Sequence, residues 1–157
     1  MKKWLLSVLL CLMCCALCCP AVAEEEPLDP DSLLAQVLLL VEDGAELIRL
    51  TEDDLLDLIG IEPQEYTDFV YLAAPNALTG REIIVLQATD EEAAKRVAEL
   101  LQGYLEQRME EMRNYLPEVY QILSRSEVFR EKMLVVLSMA APAEDEAQLL
   151  LETLNKE

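Results

Sequence analysis

Carboxylates are the reactive side chains this chain offers in number, with 31 Asp and Glu against 12 Lys and Arg and no histidine at all. Without imidazole, the usual general base, metal ligand and pH switch are missing. Acid–base chemistry near neutral pH would then rest on a pair of carboxylates, as in hydrolases that cut sugar polymers. Abundance alone singles out none of them. Glu82 and Asp68 are the candidates because each enters or flanks a predicted strand. The plainer reading of Glu82 is a strand-edge acid paired with an arginine, either Arg81 or one on the long helix described below.

Other chemistries find less to work with. Ser32, Ser124, Ser126 and Ser138 have no histidine partner, and a Ser–Lys pair would draw on Lys95, Lys132 or Lys156. Oxygen ligands for calcium or magnesium are plentiful, but Glu52-Asp53-Asp54 run consecutively and lack the alternate spacing of a calcium loop. The four glycines, Gly44, Gly60, Gly80 and Gly103, lie far apart, so there is no glycine-rich phosphate loop. No metal and no organic cofactor is expected.

All five cysteines, Cys11, Cys14, Cys15, Cys18 and Cys19, fall in the N-terminal segment. Met1-Lys2-Lys3 is basic, Trp4 to Cys19 is uncharged and apolar apart from Ser7, and Pro20-Ala21-Val22-Ala23 precedes Glu24-Glu25-Glu26. Ala21 and Ala23 are the small residues a signal peptidase reads, so residues 1–23 are expected to be a cleaved secretory signal. The apolar run is short for a membrane span and its exit is acidic. The alternatives are an uncleaved anchor over residues 4–22, or lipidation at Cys18 or Cys19, neither of which follows a small residue. Cleavage leaves no cysteine, hence no disulfide, thiolate nucleophile or zinc–thiolate site, in a compartment where disulfides are permitted. Losing Lys2 and Lys3 makes the remainder more acidic still than the formal −19 of the whole chain. Such a charge repels phosphate backbones and anionic lipid, which excludes nucleic acid as a partner and confines membrane contact to the N-terminal segment.

Hydrophobic spacing then supplies the framework. Residues 24–30 are acidic with two prolines and read as a tether; residues 31–157 read as one domain. Asp31 or Ser32 caps a helix over Leu33 to Val41 whose apolar stripe is broader than one face. Thr51 caps a short helix that Gly60 ends, with acids in its first turn. Tyr66 to Ala74 and Arg81 to Ala88 form a hairpin across the turn-rich residues 75–80, and both faces of each strand are apolar, so the sheet should be covered on both sides. Thr89 with Glu92 reads as a capping box for the longest helix, with Glu91–Lys95 and Glu92–Arg96 as side-chain pairs. Its stripe of Val97, Leu101, Leu105, Met109 and Met112, flanked by Ala94, Leu100, Tyr104 and Leu116, should face the sheet, and Pro117 ends it. A short helix to Leu123, a second hairpin through Arg130-Glu131-Lys132, and a closing helix over Glu144 to Leu154 complete the chain. The fold class is α+β: an antiparallel sheet of about four strands in two hairpins, packed with a long amphipathic helix and shorter N- and C-terminal helices.

This order resembles an uncharacterised family of proteins exported by Gram-positive bacteria, domain of unknown function four-three-five-eight. The resemblance rests on Tyr66 to Tyr71, Arg81-Glu82-Ile83-Ile84-Val85-Leu86, the Asp-led helix from Asp90 to Tyr115, Tyr115-Leu116-Pro117-Glu118, and Met133 to Ser138. It spans roughly Leu47 to Met139. Two departures stand out: the last hairpin usually turns through glycine where this chain has Arg130-Glu131-Lys132, and the leader lacks a good lipidation site. The family's activity is unknown, so the resemblance implies architecture and export and no mechanism. The functional expectation is a non-catalytic binding module in the cell envelope or outside the cell, engaging an envelope protein or a wall component. The alternative is a carboxylate-dependent hydrolase of a wall or sugar polymer.

Overall fold

A computed structural model of the protein describes residues 32–139 and 143–155. The expected signal and tether fall on residues outside these. Among the described residues, five α-helices and five strands follow in the order α1 (Leu33–Leu40), β1 (Ile48–Arg49), α2 (Glu52–Ile59), β2 (Tyr66–Ala73), β3 (Glu82–Ala88), α3 (Glu91–Arg113), α4 (Pro117–Leu123), β4 (Val128–Glu131), β5 (Leu134–Met139) and α5 (Ala143–Leu154). The strands form one antiparallel sheet ordered β1-β2-β3-β5-β4. Four of them are the two expected hairpins. The fifth, β1, is an edge of two exposed residues, too short for an alternation pattern to show.

β3 sits in the middle, and its alternate residues feed two separate cores. Ile84, Leu86 and Ala88 face α2, α3 and α4, with Leu55, Val97, Leu101, Leu105 and Leu123 packed over them. Ile83 and Val85 face α1 and α5, where Val37, Val41, Ala147 and Leu150 close the other side. This is why β2 and β3 read as apolar on both faces: strands covered twice do not alternate. The broad stripe of α1 is mostly spent on this second core, although Leu39 remains 84% exposed.

Local signals hold the elements in place. Ser32 caps α1 through Ala35 N at 3.2 Å. Thr51 and Asp54 form a reciprocal capping box on α2, and Gly60 ends that helix at φ 81. The cap of α3 differs from expectation. Asp90, not Thr89, accepts from Ala93 N at 2.7 Å, while the Thr89 hydroxyl turns to the carbonyls of Gln64 and Glu65. Arg96, expected against Glu92, bonds Glu65 at 2.8 Å. Both changes have one cause: the turn before β2 packs against the start of α3 and offers better placed acceptors. The stripe of α3 faces the sheet as expected, with Leu100 turned outward.

Two turns need left-handed backbone. Gly80 (φ 67) lets the β2–β3 loop approach α4, where a Cβ would lie 2.5 Å from Val119 Cγ1. In the β4–β5 turn Lys132 itself adopts φ 52, taking without glycine the conformation that glycine adopts at no steric cost. Among the described residues no helix is long and apolar enough to cross a membrane.

Candidate functional site

Glu82 opens β3 and projects onto the α3 side of the sheet. It is only 7% exposed, a position a carboxylate holds only when its oxygens are well satisfied. Tyr71 donates its hydroxyl to Glu82 Oε2 at 2.8 Å, and Tyr104 donates to the same oxygen at 2.7 Å. The two phenol oxygens lie 3.1 Å apart. Arg108 brings Nη2 to 3.2 Å from Glu82 Oε1 and Nη1 to 2.9 Å from Glu111. Its Nε is buried with no hydrogen-bond partner among the described residues.

Each member comes from a rule of spacing. Ala73 stands opposite Glu82 in the β2–β3 ladder, so Tyr71 is its same-face diagonal neighbour. Tyr104 and Arg108 are one turn apart on α3, on the face laid against that end of the sheet. Burial, then the nearby Glu82 charge, raises both phenols well above their ordinary range, so they stay protonated donors. Burial works against the charge on Arg108, but Glu82 and its other neighbours outweigh it and hold the guanidinium more firmly protonated than usual.

Beside this cluster lies a cavity of about 320 Å3 between α2, α3 and the ends of β1 and β2. Ile48, Leu50, Leu58, Ala73, Ala74 and Pro75 supply its apolar walls, the Glu82 cluster supplies its polar floor, and Arg81 also borders it. Ile48 and Leu58 are both exposed at its rim. Glu82 is the single carboxylate on its lining.

Arg81 faces the opposite way. It forks onto Asp43 (Nε–Oδ2 3.0 Å, Nη2–Oδ1 2.7 Å) and onto Glu146 (both bonds 2.8 Å), with Ser138 hydrogen-bonded to Glu146 beside it. This ties the segment after α1 and helix α5 to the centre of the sheet. The hydrogen bond from Arg81 holds the Asp43 carboxyl below its usual value. Of the two arginine partners foreseen for Glu82, the structure selects the helical one.

Asp68 is not part of either cluster. It is exposed, next to a bulge in β2, and accepts from the neighbouring Phe69 N at 2.8 Å. It pairs with Gln87, five residues along β2 from the position opposite Glu82, or about 17 Å at strand rise. Alternation places it on the Val70 and Leu72 side of the sheet, away from Glu82. The two candidate carboxylates therefore cannot act on one bond. Tyr71 and Tyr104 are the members sequence reasoning missed, and Arg108 was foreseen only as an unspecified arginine of the long helix. Their signal was a Tyr and an Arg four residues apart on the buried side of a helix. Among the described residues no group of three or more His, Cys, Asp or Glu is placed to hold a metal ion.

The sequence matches the family described as Domain of unknown function (DUF4358) over residues 41–140. Neither a curated protein nor a solved structure matches it. The matched stretch holds the whole sheet, α2 to α4 and every member of the Glu82 cluster, while α1 and α5 lie outside it. By this match the chain belongs to the DUF4358 family.

Proposed function

We propose that this is an exported, non-catalytic binding domain that works at the cell envelope or outside the cell and engages an envelope protein or wall component through the cavity beside Glu82. The observation carrying this reading is that the cavity holds one carboxylate, and three donors already occupy it. Hydrolysis by paired carboxylates needs a second acid within roughly 5–10 Å across the scissile bond, and the lining of this cavity offers none. A larger cavity of about 580 Å3 lies beside Arg81, and two of its acids, Asp43 and Glu146, are already paired with that arginine. The phenols are held as donors and make poor bases. A rigid polar floor under apolar walls is what recognition uses. Export rests on residues 1–23, with cleavage after Ala23, or with residues 4–22 retained as an anchor.

The test is a paired screen on protein recovered from an exporting bacterial host. Envelope extracts are searched for a retained partner, while wall polymers, peptides and glycosides are searched for turnover. Binding without turnover supports the reading. Turnover that disappears in Glu82→Gln, with the fold intact, overturns it. Intact mass of the recovered chain checks export, the expected start being Glu24 and the contrary results being a retained Met1 or a lipid on Cys18 or Cys19.

A further inference from the structure

Three oxygens, Glu82 Oε2 and the two phenol oxygens of Tyr71 and Tyr104, stand in a triangle with edges of 2.8, 2.7 and 3.1 Å. Each phenol has one proton. The two phenols supply two protons for three edges, and either phenol oxygen could be the donor on the edge between them, so one edge brings two lone-pair-bearing oxygens together without a phenol proton. The triangle is therefore rich in acceptors and short of a donor, while Arg108 Nε beside it is a buried donor with no partner among the described residues. On the cavity lining Glu82 faces Arg108, and Arg81 is taken up by Asp43 and Glu146, so an incoming cation would meet a guanidinium and an incoming anion would meet the carboxylate. The walls at Ile48, Leu50, Leu58 and Pro75 are apolar. At about 320 Å3 the cavity is ample for one ring, given that an apolar cavity of about 150 Å3 takes up benzene.

We infer that the cavity takes a small uncharged molecule, or the uncharged end of a larger one, with an apolar body against the Ile48–Leu58 wall and a hydroxyl or amide N–H donated to the Glu82–Tyr71–Tyr104 oxygens. This rests on the binding reading above and adds the ligand's chemistry. An uncharged donor supplies the missing proton of the triangle, and its apolar body covers side chains that stand partly in water.

Four probes sharing one ring separate the possibilities: benzyl alcohol, toluene, benzylamine and benzoate, titrated into the exported protein while the ring resonances of Tyr71 and Tyr104 are followed by NMR. Benzyl alcohol should shift both tyrosines and bind about fivefold more tightly than toluene, the worth of one neutral hydrogen bond. It should also outbind benzylamine, which is charged, and benzoate. Tyr104→Phe should erase the preference for the alcohol over toluene while leaving ring binding in place. Leu58→Trp, at a position 52% exposed on the rim, should narrow the mouth and weaken all four probes. Equal binding of alcohol and toluene, or tightest binding by benzoate or benzylamine, would refute the uncharged-donor assignment and leave the cavity as a binding place. If no probe moves either tyrosine at millimolar concentration, the cavity binds nothing of this kind and the site itself is overturned. Catalytic turnover in the separate screen would instead sink the non-catalytic reading, whatever the probes do.

Discussion

Replacing Glu82 by glutamine keeps the side chain's shape and removes its charge, which isolates what the buried carboxylate contributes. Two phenol bonds to an ionised acceptor become neutral ones, a loss of about 1 kcal/mol each. Arg108 loses the more buried of its two carboxylates and keeps Glu111, whose side chain is 45% exposed. Removing one partner of a buried ion pair costs about 3–5 kcal/mol, and Glu111 retains part of that. Glu82→Gln should therefore destabilise the fold by about 3–4 kcal/mol, a large share of the 5–15 kcal/mol typical of a domain. The assay is urea unfolding followed by circular dichroism, with the slope m checked so that the midpoint shift reports stability. Arg108→Gln in the same background should recover part of the loss, because the double variant buries no unpaired charge. Its cost should fall at least about 1 kcal/mol short of the sum of the single variants. A Glu82→Gln loss under about 1 kcal/mol, or additivity within about 0.5 kcal/mol, would show that solvent screens the cluster and that the burial argument is wrong.

Three further outcomes check the packing and the charge network. Leu101 is fully buried between α3 and the sheet, so Leu101→Ala should cost about 2–5 kcal/mol in the same urea assay, and a near-neutral result would mean that α3 does not pack there. Gly103 and Gly80 should respond to alanine in opposite directions. Gly103 has nothing within 4 Å of an added Cβ, and the substitution should raise stability by up to about 1 kcal/mol. Gly80→Ala combines a left-handed φ with a collision against Val119 and should lower it by about 2–4 kcal/mol. The carboxyls of Asp43, through its hydrogen bond from Arg81, and of Glu111, through Gln107 and then Arg108, are held below their ordinary values. Such groups bind fewer protons in the folded state than in the unfolded one. Their contribution is thus complete above the unfolded values of 3.8 and 4.5 and declines as pH falls through the lower folded values. Asp43→Asn should flatten the fall of Tm between pH 5 and pH 3, and an unchanged profile would remove Asp43 from the acid-sensitive set.

The apolar framework was legible because burial on two faces leaves a dense signal. Tyr66 to Ala73, Glu82 to Ala88 and Leu134 to Met139 are too apolar and β-branched to be anything but central strands, and the α3 stripe follows a period that only a helix satisfies. Charged and short features were harder. β1 has two residues and no buried one, so no periodicity exists to find. Thr89 and Asp90 are both competent caps, and the choice between them depends on the turn at Glu65, which no local rule brings near. The partner of Glu82 was half legible: adjacent residues of a strand point to opposite faces, which disfavours Arg81 and leaves the long helix. Choosing Arg108 there requires knowing where α3 crosses the hairpin. Tyr71 needs the exact β2–β3 register, which the eight-residue connection between the strands does not dictate.

Arg81 and Glu82 also bear on why that register is unique. Placed consecutively at the head of the central strand, they send opposite charges to opposite faces, Arg81 to Asp43 and Glu146, Glu82 to Tyr71, Tyr104 and Arg108. Hydrophobic pattern alone specifies β3 weakly, because both of its faces are apolar and a one-residue slip would bury an equally greasy strand. The same slip exchanges the two charges. Arg81 would then face Arg108, and Glu82 would face Asp43 and Glu146, so that each layer would bury like charges in place of paired ones. Buried ion pairs add little net stability compared with apolar packing, but their misplacement is strongly penalised. In a strand whose apolar residues cannot tell one face from the other, this pair of charges supplies the distinction. The polar floor of the cavity is thus set by the same residues that set the register of the sheet.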